Sequence, residues 1–92
     1  MHLNAGRYAK GEEMLRALLR VSPNDPSVHN GLGKCFAETG RYEQAIFHVE
    51  RCLALNPGDR VAAGNLIHML TLAGRKQDAV RKGEQLLPRF AR

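Results

Sequence analysis

Residues 26–59 read PSVHNGLGKCFAETGRYEQAIFHVERCLALNPGD, and this stretch decides the fold. The glycine at its centre, Gly40, lies midway between Gly6 and Gly74, at an interval of 34 from each, and an arginine follows each of the three. A period of this length is typical of stacked supersecondary units, which cannot bury their apolar faces alone. Such arrays present a surface for binding and rarely carry out catalysis.

The composition is that of one small globular domain. The chain has 92 residues, of which 43% are hydrophobic and 25% are charged, so it is not disordered by composition. Its formal net charge of +5 would suit nucleic acid or anionic lipid. The signs are mixed, however, with Arg16 near Glu12 and Arg41 near Glu43, and no basic run interleaves with aromatic residues. Nucleic-acid binding is therefore not expected.

No segment resembles a secretion signal or a membrane span. The first four residues lack a charged start followed by an apolar run. The most apolar stretch, residues 66–73, contains His68 and Thr71 and falls short of the roughly 18 residues that indicate a membrane helix. We therefore predict a cytoplasmic protein with no membrane span.

Helical patterns alternate with short breaks along the chain. Asp25 followed by Pro26 predicts a helix start, and Gly40 and Gly74 predict helix ends. Pro57 closes the helix before it, because proline lacks an N–H and disfavours helical geometry in the preceding residue. Helices are predicted over about 7–21, 26–39, 42–55, 61–73 and 76–87.

In this register the chain resembles the tetratricopeptide repeat, a helix–turn–helix unit with the same period. The resemblance is carried best by residues 26–59, through Leu32, Gly33, Phe36, Gly40, Tyr42, Ala45, Cys52 and Pro57. Gly33 and Ala45 lie where the two helices of a pair would touch, so small side chains allow close approach. The next unit keeps Asn65, Leu66, Leu70, Gly74 and Ala79, although Ile67 replaces the usual glycine.

The resemblance implies an all-α fold in which antiparallel helix pairs stack as a short right-handed superhelix, or α-solenoid. It divides a single domain over residues 1–92 into a partial first unit (1–25), a full second unit (26–59) and a full or nearly full third unit (60–92). The first unit is expected to begin within its leading helix. The sequence from Leu86 to Phe90 leaves apolar residues uncovered and supplies no polar capping helix.

The histidines and cysteines do not form a catalytic or metal-binding pattern. No two of the four histidines are spaced four residues apart, and no zinc-binding spacing occurs. We expect His29 to pack between helices, His48 to face outward and His68 to face the groove. Cys35 and Cys52 occupy small-residue positions roughly 9 Å apart along the helix axes, so two reduced structural thiols are expected, with a contact between neighbouring units as the alternative. No catalytic residue, metal or cofactor is predicted.

The resemblance also implies a binding surface, because the leading helix of each pair lines a concave groove that holds an extended peptide or a partner helix. The positions carried over to this chain are Ser27, Asn30, Lys34, Glu38, Asn65, His68 and Thr71. An asparagine amide both donates and accepts hydrogen bonds, as a peptide backbone requires, and Lys34 would attract a carboxylate. Each residue taken singly also fits a solvated polar helix face. Gly31, Ala37 and Gly64 suggest a groove wide enough for a helix.

Three functions follow from this pattern. The favoured one is a non-catalytic protein–protein interaction scaffold that binds a protein or peptide partner in the groove. The second is a self-associating module, in which the uncapped ends form a homo-oligomer. The third is a repeat fragment that serves a neighbouring catalytic domain in a longer chain.

Overall fold

Five α-helices account for most of the residues that the structure describes. The computed structural model describes residues 3–86, and the helices are α1 Leu3–Val21, α2 Pro26–Glu38, α3 Tyr42–Leu55, α4 Arg60–Leu72 and α5 Lys76–Leu86. Four of them begin within one residue of the predicted starts, whereas α1 begins four residues earlier. The apolar end from Leu87 to Phe90 lies outside the described residues.

The starts of α2 and α4 are fixed by the same local chemistry. The Asp25 carboxylate accepts a hydrogen bond from the backbone N–H of Ser27 at 2.9 Å, and Pro26 occupies the first helical position. At α4, Asp59 accepts from the backbone N–H of Ala62 at 3.0 Å. Each carboxylate satisfies an N–H that has no partner within its helix.

Both predicted turn glycines adopt the left-handed conformation. The φ angle is +81° at Gly40 and +80° at Gly74. The next residue then donates its backbone N–H back into the preceding helix, from Arg41 to the Phe36 carbonyl and from Arg75 to the Leu70 carbonyl, each at 2.8 Å. This geometry ends the helix and reverses the chain, and glycine adopts it without Cβ strain.

The helices pack in chain order, each against the next. The described residues measure 39 × 30 × 16 Å, a flat, elongated shape that fits an array rather than one central core. The largest fully buried side chains belong to α2, α3 and α4, and they are Phe36, Leu32, Leu66, Leu70, Val49 and Cys52.

Gly33 marks the closest approach of α2 and α3. A Cβ atom added there would lie 2.5 Å from Cγ2 of Val49 and 3.2 Å from the Ala45 carbonyl oxygen. A side chain at this position would force the helices apart, so the contact requires glycine. The predicted close approach at Gly33 and Ala45 is thereby confirmed.

Candidate partner-binding groove

The seven predicted groove residues lie on two helices that are not neighbours in sequence. Four are on α2 and three on α4. Asn30 and Asn65 are half-buried, and the other five are exposed, namely Ser27, Lys34, Glu38, His68 and Thr71. Their spacing of three or four residues places each set on one side of its helix. That they line a binding groove stays a prediction.

Asn30 and Asn65 are the two members that the structure joins directly. Nδ2 of Asn65 donates to Oδ1 of Asn30 at 3.3 Å, which links α4 to α2. Within residues 6–86 this is the one hydrogen bond made by either amide group. The donor group of Asn30 and the carbonyl oxygen of Asn65 are therefore left for a ligand or water.

The polar groups around this pair are mostly uncommitted. Lys34 has no carboxylate within ion-pair distance in the part of the chain that the structure describes. Thr71 is different, since its hydroxyl donates to the carbonyl of Ile67 at 2.9 Å within the same helix. The Thr71 hydroxyl can therefore accept a hydrogen bond from a partner, but its one hydrogen is already used.

Gly31 does not contribute to the width of the groove. A Cβ atom there would lie 3.1 Å from Cδ1 of Leu15 in α1, so this residue lies against the preceding helix. Its assignment to the groove was wrong, because Leu15 packs over this part of α2. Gly64, in contrast, has no atom within 4 Å of an added Cβ atom and is open.

The two central histidines form a paired cluster. His29 is 4% exposed and its Nε2 lies 2.9 Å from the Pro23 carbonyl oxygen, which can only accept. His29 therefore donates through Nε2, and when it is neutral its Nδ1 accepts from Nδ1 of His48 at 3.1 Å. The buried, structural position predicted for His29 is confirmed.

The outward position predicted for His48 was wrong. Its ring stacks on Phe36 with centroids 5.5 Å apart, and Phe47 meets it edge-on at 5.1 Å. Burial, then the neighbouring His29 and Arg16, lowers the pKa of His48. The signal for this contact was present in the sequence, since His29 and Phe36 are two turns apart on α2 and can both meet a ring from α3.

Both cysteines are buried free thiols, as predicted. Burial raises the pKa of Cys35 and of Cys52, and the nearby Asp59 carboxylate also raises that of Cys52. A thiol with a raised pKa forms little thiolate, so neither is an activated nucleophile. Among the described residues, no group of three or more His, Cys, Asp or Glu side chains is arranged to hold a metal ion.

The arginine that follows each of the turn glycines Gly40 and Gly74 bonds to the preceding unit. Arg41 binds the carboxylate of Glu12 in α1, and Arg75 binds Glu43 in α3 at 3.0 Å. Arg41 is near Glu43 in the sequence, but its ion pair is with Glu12. The expected pair of Arg16 with Glu12 is present at 2.9 Å.

Comparison with known families agrees with this geometry. The sequence model described as tetratricopeptide repeat matches residues 2–60, which is more than half of the chain. The chain belongs to the tetratricopeptide repeat family. Its all-α fold is therefore a helical solenoid of this family, as predicted, while the unit boundaries within it stay predictions.

Curated relatives share this repeat over a small part of their length. Superkiller protein 3 of Schizosaccharomyces pombe is 36% identical over 59 residues, which are 64% of this chain and 4% of that protein. Cell division cycle protein 27 homolog A of Arabidopsis thaliana is 35% identical over 52 residues, or 56% of this chain and 7% of that protein. A TPR repeat-containing protein of Pseudomonas aeruginosa is 32% identical over 84 residues, which are 91% of this chain and 34% of that protein. The chain thus spans at most about a third of the length of these relatives.

A solved structure shows the same fold. A mutant of MamA superposes with a TM-score of 0.78 and 20% sequence identity, covering 92% of this chain and 64% of that one.

Membership of the tetratricopeptide repeat family supports a general role in protein–protein interaction, and proteins of this family are generally non-catalytic. No helix formed by residues 3–86 is long and apolar enough to cross a membrane.

Proposed function

We propose that this tetratricopeptide repeat chain is a non-catalytic scaffold that binds an extended peptide or a partner helix against α2 and α4. The observation that carries the proposal is the Asn65–Asn30 hydrogen bond. It holds two amides from different helix pairs side by side, with a donor of Asn30 and the acceptor of Asn65 unused. A peptide group presents the complementary acceptor and donor.

The cation beside this pair, Lys34, favours a partner that carries a carboxylate near the bound segment. Lys34 lies one turn from Asn30 on α2, is exposed and has no ion pair within the described residues. His68 lies three residues after Asn65 on α4 and is also exposed, so its ring nitrogens are accessible for hydrogen bonding. A partner carboxylate at this end would gain attraction that solvent only partly screens.

A comparison of two triple variants tests the groove. Purified chain would be screened against a displayed peptide library, and binding peptides would be retested on Asn30→Ala, Lys34→Ala and Asn65→Ala combined. The control combines Gln44→Ala, Arg51→Ala and Gln77→Ala, which are exposed positions on α3 and α5. We expect the groove variant to lose binding at least about tenfold and the control to retain it. Equal binding by the two variants would count against the groove.

A second candidate function is self-association, which an apolar stripe on α1 favours. Met14, Leu18 and Val21 follow helical spacing and are 67%, 50% and 81% exposed. One repeat interval after Leu18 the chain has Cys52, which is fully buried at 0% exposed. The same position is thus covered in the second unit and open in the first.

Sedimentation velocity tests this candidate directly. A dimer that forms through the α1 stripe would dissociate in Leu18→Glu, because a charge at its centre opposes burial. Val80→Glu places the same charge at an exposed apolar position on α5 and serves as the control. A wild-type chain that remains monomeric at high concentration would remove self-association.

The cytoplasm is the location that the chain's chemistry suits best. Both thiols are free and occupy buried packing positions, and a reducing compartment keeps thiols in this state. We also keep as a proposal that these repeats serve a neighbouring domain, since the curated relatives that share them are longer.

A further inference from the structure

The second unit contains a buried aromatic cluster around Phe36. This side chain is 1% exposed. The guanidinium carbon of Arg41 lies 4.5 Å from the centre of its ring and that of Arg16 lies 5.7 Å from it. The ring of His48 stacks on it with centroids 5.5 Å apart. These side chains come from α1, α2, α3 and the turn after Gly40, and together they pack into the space between these three helices.

The equivalent region of the third unit contains an open cavity of about 280 Å³. One repeat interval after the four members of the cluster stand four residues that all line this cavity, namely Leu70, Arg75, Glu50 and Lys82. Leucine at the position of Phe36 is as deeply buried as that ring, at 1% exposed, but it is shorter and leaves the cavity beside it unfilled. Lys82, at the position of His48, has no ring that could stack against an aromatic side chain.

The cavity has room for an aromatic ring. An apolar cavity of roughly 150 Å³ accommodates benzene, so 280 Å³ is sufficient for a phenyl or phenol group. Arg75 occupies the turn position equivalent to Arg41 and is held by Asp78 at 2.9 Å and Glu43 at 3.0 Å. A fixed guanidinium attracts the face of an aromatic ring, as Arg41 does with Phe36.

The charges of the lining favour an anionic neighbour for that ring. Two of the cations that line it, Arg75 and Arg81, already pair with Asp78, and Arg75 also pairs with Glu43. Lys82 is half-buried and has no carboxylate within ion-pair distance in the described part of the chain. An ammonium group without an ion-pair partner is available to pair with an incoming carboxylate.

We propose that this cavity is a second binding site, which takes the phenylalanine or tyrosine side chain of a partner protein whose adjacent residue is acidic. The ring lies over the guanidinium of Arg75, next to the buried side chain of Leu70, and the carboxylate pairs with Lys82. None of the seven groove residues lines the cavity, so this site is separate from the groove of the proposed function.

Titration with short peptides, followed by NMR of the ¹⁵N-labelled chain, tests the site. The probe is acetyl-Glu-Phe-amide, with acetyl-Gln-Phe-amide and acetyl-Glu-Ala-amide as the peptides that lack the charge and the ring. We expect saturable shifts of α5 amide signals with the probe, binding about threefold weaker without the charge, and no saturable shift without the ring. The Asn30→Ala, Asn65→Ala double variant should bind the probe as the wild type does.

Two substitutions decide the result. Leu70→Phe rebuilds the ring of the second unit inside the cavity and should abolish probe binding while the helical circular dichroism is retained. Lys82→Gln, which removes the charge with little change of shape, should make the acidic and neutral peptides bind equally. The proposal is overturned if folded Leu70→Phe binds the probe with wild-type affinity, or if Lys82→Gln still prefers the acidic peptide. Absence of saturable shifts in the wild type up to the solubility limit of the probe would also overturn it.

Discussion

Arg41 joins two units of the array through its contact with Glu12. Both terminal nitrogens of its guanidinium donate to the Glu12 carboxylate, and the same group lies 4.5 Å over the ring of Phe36. The side chain of Glu12 is only 14% exposed, so this ion pair is shielded from solvent more than most surface pairs are. It fixes α1 against the turn between α2 and α3.

We expect Glu12→Gln to lower the free energy of unfolding by about 1 kcal/mol, because the neutral amide forms a weaker and less complete contact with Arg41. The hydrogen bond from Arg41, and that from Arg16, lower the pKa of Glu12 despite its partial burial. A carboxyl group with a lowered folded pKa contributes stability above its ordinary value near 4.5, and this is lost as the pH falls through the folded value. Urea denaturation would therefore show that the free energy of unfolding falls less between pH 7 and pH 3 for Glu12→Gln than for the wild type.

Glu13→Gln is the matched control for this measurement. Glu13 is the exposed neighbour of Glu12 and makes no ion pair within the described residues. Its substitution should change stability by less than about 0.5 kcal/mol. Equal effects of the two substitutions would show that the contact with Arg41 contributes nothing specific.

Gly33→Ala should destabilise the chain, whereas Gly64→Ala should stabilise it. A Cβ atom at Gly33 would meet Val49 at 2.5 Å, and overpacking of this kind costs about 1–3 kcal/mol. The same methyl group at Gly64, in the middle of α4, meets no atom within 4 Å and gains up to about 1 kcal/mol of helix propensity. Thermal unfolding of the two variants should shift the midpoint in opposite directions, and shifts of the same sign would contradict the packing.

The turn glycines should resist substitution because of their backbone conformation rather than their contacts. Gly40 and Gly74 have φ near +80° and no atom within 4 Å of an added Cβ. Alanine at either position should therefore cost about 1 kcal/mol of strain. Gly58→Ala, in a turn where φ is not positive, is the control, and a comparable loss there would refute the conformational explanation.

The histidine pair should make stability fall at mildly acid pH. Burial, then His29 and Arg16, lowers the pKa of His48 below its ordinary value of 6.5. A base with a lowered folded pKa contributes stability that is present above the unfolded value and lost as the pH falls through the folded value. Melting temperatures of the wild type should therefore decline below about pH 6.5.

His48→Gln tests this assignment. The side-chain amide still donates to Nδ1 of His29 but does not titrate in this range. The variant should be less stable than the wild type at pH 8, since it loses the stacking on Phe36, and should show a shallower decline between pH 6.5 and 5. An unchanged slope would assign the pH dependence to another group.

The periodic features of this protein are determined by local sequence. The positions of α2–α5, the aspartate cap of α2 and the left-handed turn glycines follow from residues close together in the chain, and all agree with the structure to within one or two positions at the helix ends. The contact of Gly33 with Ala45 also followed, because the repeat brings small residues of two antiparallel helices to the same level. The groove set was available only by analogy to the family, and the structure adds to it the direct bond between Asn30 and Asn65.

The contacts between side chains on different elements were decided by tertiary structure. The pairing of Arg41 with Glu12, the burial of His48 against Phe36 and the place of Gly31 under Leu15 each join residues on different elements, well separated along the chain. They depend on how far one helix rotates and slides against the next, and a regular sequence interval does not encode that offset. The sequence by itself determined a stacked helical array with one repeating turn. Packing decided which side chains meet between its layers, because those contacts arise only once the helices have a fixed relative orientation.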